Sequence, residues 1–136
     1  YRSRVSGPLL DRIDLHVEVP AVPYKDLKQT ESSMDSARMF GRIEAARERQ
    51  AERYEGLPVL SNAELSGKPL SRHCVLGQDE HAFLERAVRA LGLSARAYTR
   101  ILRISRTIAD LEGDENLKVS HLAEAVNYRT LDRKFA

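Results

Sequence analysis

The sequence has 136 residues, with 22 Lys plus Arg against 20 Asp plus Glu and a formal net charge of +2, which bounds it to one domain or a small domain with an appendage. Hydrophobic residues make up 42% and charged residues 31%, and with no Trp, three Phe and five Tyr any core has to rest on Leu, Ile, Val and Ala. The single cysteine, Cys74, excludes an internal disulfide and a cysteine metal cluster, which fits a reducing, cytoplasmic compartment, and no apolar run approaches the ~20 residues of a membrane helix.

The chain opens without Met and reads YRSRVSGPLLDRIDLHVEVP, where Ile13, Leu15, Val17 and Val19 alternate with Asp14, His16 and Glu18 until Pro20. A period of two predicts a strand. A lone strand cannot satisfy its edges, so the expectation is a sheet supplied by a larger protein from which this chain is cut, with residues 57–60 as a local alternative partner. Residues 20–33 carry two prolines and end in ESS, as a linker does. From Ser36 to Tyr54 there is no Pro and Ile43 is the sole β-branched residue, which predicts a long helix. Phe40, Ile43 and Ala46 mark its apolar side, and Arg38, Arg42, Arg49 and Arg53 face solvent or a partner, solvent being favoured because Glu44, Glu48 and Glu52 interleave and dilute their field.

Glycines and prolines break up EGLPVLSNAELSGKPLSRHCVLG, leaving short helical turns around residues 62–65 and 71–75. Asp79 caps a regular helix carrying Phe83, Leu84, Ala87, Val88 and Leu91, which Gly92 ends. Ser94 caps the next, SARAYTRILRISRTIADLEG. Its Ala97, Ile101, Ile104, Ile108 and Leu111 form one stripe at about 100° per residue, opposite Arg96, Arg100 and Arg103, and Gly113 closes it. Ser120 opens a last short helix in which Leu122, Ala123 and Val126 complete the core. The predicted fold is mainly α, a helical bundle over residues 79–136 preceded by a connecting long helix and irregular linker over 24–78 and by one residual strand within 1–23.

Most catalytic patterns are absent: there is no GxxxxGK(S/T) phosphate loop, no GxGxxG, no HExxH and no metal-spaced cysteine pair. His16, His73, His81 and His121 are scattered and read as structural or surface residues, and Cys74 as a small buried hydrophobe. Asp110, Glu112, Asp114 and Glu115 lack the ligand order of a calcium loop and read as a solvated turn. The arginines carry the sharper chemistry. Residues 86–109 hold Arg86, Arg89, Arg96, Arg100, Arg103 and Arg106 with no acid among them. Arg12 precedes the predicted strand, from whose end a guanidinium could enter a neighbour's phosphate site or pair with Asp11 or Asp14. Arg96 lies in the first turn of its helix, where free amides and the helix dipole favour an anion. Solvent exposure, or contact with a nucleic-acid backbone shared with Arg100 and Arg103, is equally open for Arg96 on the residues alone.

SGPLLDRIDLHVEVP, LSARAYTRILRISRTIADLEG and HLAEAVNYRTLDR together resemble the C-terminal part of magnesium-chelatase-like AAA+ ATPases, specifically the competence-related bacterial branch-migration helicase family. The resemblance implies that residues 1–23 end the ATPase core, with Arg12 as the arginine finger acting in trans, and that residues 79–136 form the helical lid, with Arg96 as the sensor 2 residue. It also implies ATP and Mg2+ as cofactors of the full-length parent, self-association into a hexameric ring, branched or single-stranded DNA as partner, and a role in natural transformation. The phosphate loop and magnesium-holding acids of that family do not occur in these residues, so the chain by itself is expected neither to hold a cofactor nor to hydrolyse ATP. Rival expectations are a basic nucleic-acid-binding module using Arg86, Arg89, Arg100, Arg103 and Arg106, a non-catalytic assembly domain, and a metal-chelatase motor subunit.

Overall fold

The computed structural model describes residues 9, 12–17, 19, 21 and 35–129. The linker expected over residues 20–33, Ala21 aside, and residues 130–136 lie outside the described residues. The long helix, α1, spans Ser36–Arg53 and starts where Asp35 accepts the Arg38 amide through Oδ1 at 2.7 Å. A 3-10 turn, Asn62–Glu64, and a short helix α2, Gly67–His73, occupy the segment broken by glycines and prolines. Helix α3 covers Gln78–Leu91, beginning one residue before the expected cap at Asp79, with Gly77 at the N-cap and Asp79 and Glu80 in the first turn. Helix α4 covers Ala95–Glu112 between Ser94 and Gly113, as its sequence predicts, and α5 covers Val119–Asn127. Gly92 and Gly113 end α3 and α4 in the left-handed conformation, at φ 62° and 81°, which glycine adopts without the Cβ clash of other residues.

Helix α4 is the centre of the bundle. It packs against α1, the 3-10 turn, α2 and α5, and α3 lies chiefly on α5. Leu84, Ile101, Leu102, Leu122 and Ala125 form the interior, and Tyr54, Val59, Leu65, Leu70 and Cys74 join the same apolar cluster from the connecting segment. The irregular stretch therefore covers one side of α4. Its Leu65, with no exposed surface, contributes about 1.5–3 kcal/mol by burial alone.

The expected residual strand is absent among the described residues. Among the described residues no segment is a strand, and neither residues 12–17 nor residues 57–60 pair with another extended chain. A strand needs a ladder, and the polar backbone groups of this stretch go elsewhere: the His16 amide donates to the Tyr128 carbonyl at 2.8 Å, and the Ile13 and Asp14 carbonyls accept from Arg129 Nη1. The alternation in sequence is not matched by an alternation in burial: His16 is buried, whereas Asp14 is exposed and so are Ile13, Leu15 and Val17, at 42%, 49% and 66%. Glu18, expected within that strand, lies outside the described residues.

Helix α1 keeps only part of its expected orientation. Ala46 is buried, but Met39, Phe40 and Ile43 are exposed, and of the arginine row Arg38 and Arg42 are exposed while Arg49 and Arg53 are half-buried toward the end of α4. Arg49 Nη1 donates to the Asp110 carbonyl at 3.0 Å and Arg42 Nη2 reaches the Leu111 carbonyl at 3.5 Å. The last carbonyls of a helix lack intrahelical donors and sit at the negative end of its dipole, so cations are drawn there.

Candidate functional site

Arg96 and Arg12 are both exposed residues. Arg96 occupies the first turn of α4, whose start is fixed by the Ser94 hydroxyl accepting the Ala97 amide at 3.1 Å. The positive end of the helix dipole and a guanidinium beside it together suit a phosphate. Arg12 stands on a turn closed by its own amide donating to the Leu9 carbonyl at 3.0 Å. One turn of α4 beyond Arg96, Arg100 reaches this segment: its Nε lies 2.7 Å from Asp14 Oδ1, and its Nη2 donates to the Arg12 carbonyl at 3.1 Å.

The remaining arginines separate by burial. Arg103 Nε donates to the Leu65 carbonyl at 2.6 Å and pins the connecting segment on α4. Arg106 is 3% exposed, and its guanidinium is taken up by the Glu115 and Asp114 carbonyls at 2.7 and 2.6 Å and by Asp110 at 3.2 Å. Arg86 and Arg89 are exposed on α3, with Arg89 paired to Glu85 at 2.6 Å. The six arginines of residues 86–109 thus form no single cationic face, and Arg100, Arg103 and Arg106 are committed to internal carbonyls and carboxylates.

Asp110, expected in a solvated turn, has no exposed surface. Its carboxylate accepts from Arg53 at 2.5 and 2.9 Å and from Asn62 Nδ2 at 2.8 Å. Asn62 in turn accepts the Tyr54 hydroxyl at 2.5 Å, and its amide donates to Gln50 Oε1 at 3.0 Å. This network joins α1, the 3-10 turn and α4, and the hydrogen bond to Asp110 drives the Arg53 guanidinium further above its ordinary value. The only hint of it in the sequence is that Asp110 follows Arg106 by one helical turn, beside the buried Ile108 and Ala109. Nothing in the sequence marks Arg129, which is wholly buried and holds the Ile13 and Asp14 carbonyls.

Glu112, Asp114 and His121 bring carboxylate and imidazole atoms within 4.8 Å of one another. The group does not suit a metal ion. His121 Nδ1 accepts the Lys118 amide at 3.1 Å, so the ring proton resides on Nε2, which faces Glu112 and Asp114 at 3.0 and 3.1 Å. A metal at Nε2 would have to displace that proton while Nδ1, facing a donor, cannot take it up. Lys118 Nζ already neutralises Asp114 at 2.7 Å, and this hydrogen bond holds the Asp114 carboxyl below its usual value. The cluster is a cap on the start of α5. His73 and Cys74 are likewise structural. Burial pushes the Cys74 thiol up to about 11, away from the thiolate, and Sγ lies 3.7 Å from the Leu102 carbonyl.

Residues 33–129 match the family described as magnesium chelatase, subunit ChlI C-terminal, and residues 1–27 match magnesium chelatase, subunit ChlI. The chain belongs to this magnesium-chelatase-like AAA+ family. Within it, the chain is similar to the competence protein ComM of Haemophilus influenzae, with 45% identity over 98% of this chain and 26% of that protein. Similarity to the YifB proteins of Salmonella typhimurium and Escherichia coli is 44% and 41% over the same shares. The chain therefore spans about a quarter of the length of the relatives it matches, at 26%. In this magnesium-chelatase-like chain the helical bundle and the Arg12 segment both fall inside the matched regions.

Proposed function

We propose that this chain supplies the lid and the arginine finger of a hexameric, ATP-driven motor that remodels DNA by branch migration. The observation that carries the reading is the pairing, in a magnesium-chelatase-like chain, of an exposed Arg96 at the capped start of α4 with an exposed Arg12 on a turn that the same helix holds through Arg100. Arg96 would bind the phosphates of nucleotide held by its own subunit, and Arg12 would reach the phosphates held by the neighbour. ATP with Mg2+ supplies the phosphoryl group whose transfer builds up negative charge, and a guanidinium placed at the transferring group stabilises that charge. When the phosphates leave, both grips loosen, and α4, fastened to α1 through Asp110, would carry the bundle with it. The word competence in the name of one relative fits a motor that works on incoming DNA. On the bundle itself Arg86 and Arg89 are the positions offered for phosphate contact, because they are exposed, Arg89 even while paired to Glu85, whereas Arg100, Arg103 and Arg106 are largely covered and held by internal partners. That commitment weighs against a plain basic DNA-binding module.

Arg12→Ala in the full-length protein tests the reading. It is expected to leave ATP affinity within about threefold while lowering turnover about 10³-fold, as loss of a transition-state contact does. Turnover unchanged by Arg12→Ala would contradict it.

A further inference from the structure

We propose that Arg100 is a positioning residue that latches the Arg12 turn to α4, so that the two arginines serving adjacent nucleotides move as one body. This rests on the reading above and adds the part that links its two halves. Arg100 and Arg96 lie one turn apart on the same helix. The Arg100 guanidinium is 15% exposed and grips the N-terminal segment twice, through the Asp14 carboxylate at 2.7 Å and the Arg12 carbonyl at 3.1 Å. A planar fork that holds a side chain and a backbone oxygen together fixes direction as well as distance, which a lysine ammonium does not.

The second anchor of the segment lies further along it. Arg129 Nη1 binds the Ile13 and Asp14 carbonyls, and the Tyr128 carbonyl accepts the His16 amide at 2.8 Å. These contacts tie residues 13–16 to the end of α5, so the grip on Arg12 itself comes from Arg100. Arg100 Nη1 is buried without an acceptor among the described residues, so the latch is not saturated. A guanidinium with a spare donor can trade one oxygen for another when α4 shifts. An arginine finger tolerates little displacement, since a misplacement of about 1 Å costs on the order of 10²-fold in rate. Through the latch, movement of Arg96 on its own nucleotide would be passed to Arg12 on the neighbour's.

The test is a mutant cycle on steady-state ATP turnover by the full-length protein, with Arg12→Ala, Arg100→Gln and the double variant. Arg100→Gln is expected to lower kcat about tenfold with KM for ATP within about twofold, and to lower it by less than about twofold in the Arg12→Ala background. Asp14→Asn, at a side chain 62% exposed and so safe for folding, is expected to reproduce part of the kcat loss, and it carries the test should Arg100→Gln not fold. The latch is overturned if kcat stays within about twofold of the parent in Arg100→Gln, or in Asp14→Asn where Arg100→Gln does not fold, or if the Arg100 and Arg12 losses multiply in full. An Arg12→Ala protein with undiminished turnover overturns the motor reading and the latch together, whereas a slow Arg12→Ala protein with no coupling to Arg100 overturns the latch alone.

Discussion

His73 sets its ring edge-on to Tyr54, with centroids 5.2 Å apart and planes at 87°, and its Nε2 is buried without an acceptor among the described residues. Desolvation by burial, helped by the nearby Arg72, Arg53 and Arg106, lowers its affinity for a proton. The folded state therefore binds this proton less readily than the unfolded chain does. Its contribution to stability is whole above the unfolded value of about 6.5 and is lost progressively as pH falls below it, until the lowered folded value is passed. The thermal midpoint is expected to drop between about pH 7 and pH 5, with a shallower drop in His73→Phe, which keeps the ring pair and removes the titrating site. Identical slopes in the two proteins would contradict this. At this scale the sequence was readable where the environment is local: Arg96 follows a serine cap, and Ser94 caps the helix as its position implies. It was not readable where the partner is distant. Arg106 and Arg96 both sit on α4 in one acid-free basic run, yet one is sealed against Asp110 and the Glu115 carbonyl and the other is exposed.

Helices here are joined by polar contacts as much as by apolar ones. Asp110 is the knot: its carboxylate takes Arg53 from α1, Asn62 from the 3-10 turn and Arg106 from its own helix. Removing one member of such a set leaves buried charges without partners, so Asp110→Ala is expected to cost about 3–5 kcal/mol in denaturant unfolding, with α1 loosened first in hydrogen exchange. A cost below about 1 kcal/mol would show that Arg53 and Arg106 find other partners. Helix limits were legible in advance at Ser94, Gly92 and Gly113 because caps act over one turn of chain. Orientation was not. The alternation of Ile13, Leu15 and Val17 with Asp14 and His16 does not say which side chains are covered, and only His16 is, or what takes the backbone hydrogen bonds. Side-chain donors on α4 and after α5 took the place of a neighbouring strand. In α1, pairing of arginines with the carbonyl end of α4 outweighed burial of Phe40 and Ile43.

Over the whole molecule the contacts converge on α4. Asp110 ties its far end to α1, Arg103 ties its middle to the connecting segment, and Arg100 ties its near end to the Arg12 turn. On the proposed motor reading, a helix held at so many points would move as a rigid lever, with Arg96 at the end where a phosphate would pull. The mainly helical bundle and the family were legible because LSARAYTRILRISRTIADLEG and HLAEAVNYRTLDR carry both the apolar periodicity and the family pattern. The contact of Arg100 with Arg12 was not, since residues 88 positions apart in the chain meet only in the fold. The most direct measurement is a structure of the assembled full-length protein with a non-hydrolysable ATP analogue. The motor reading predicts the Arg96 guanidinium within hydrogen-bonding reach of the phosphates in its own subunit and Arg12 at the phosphates of the next. Finding both arginines remote from bound nucleotide would contradict it.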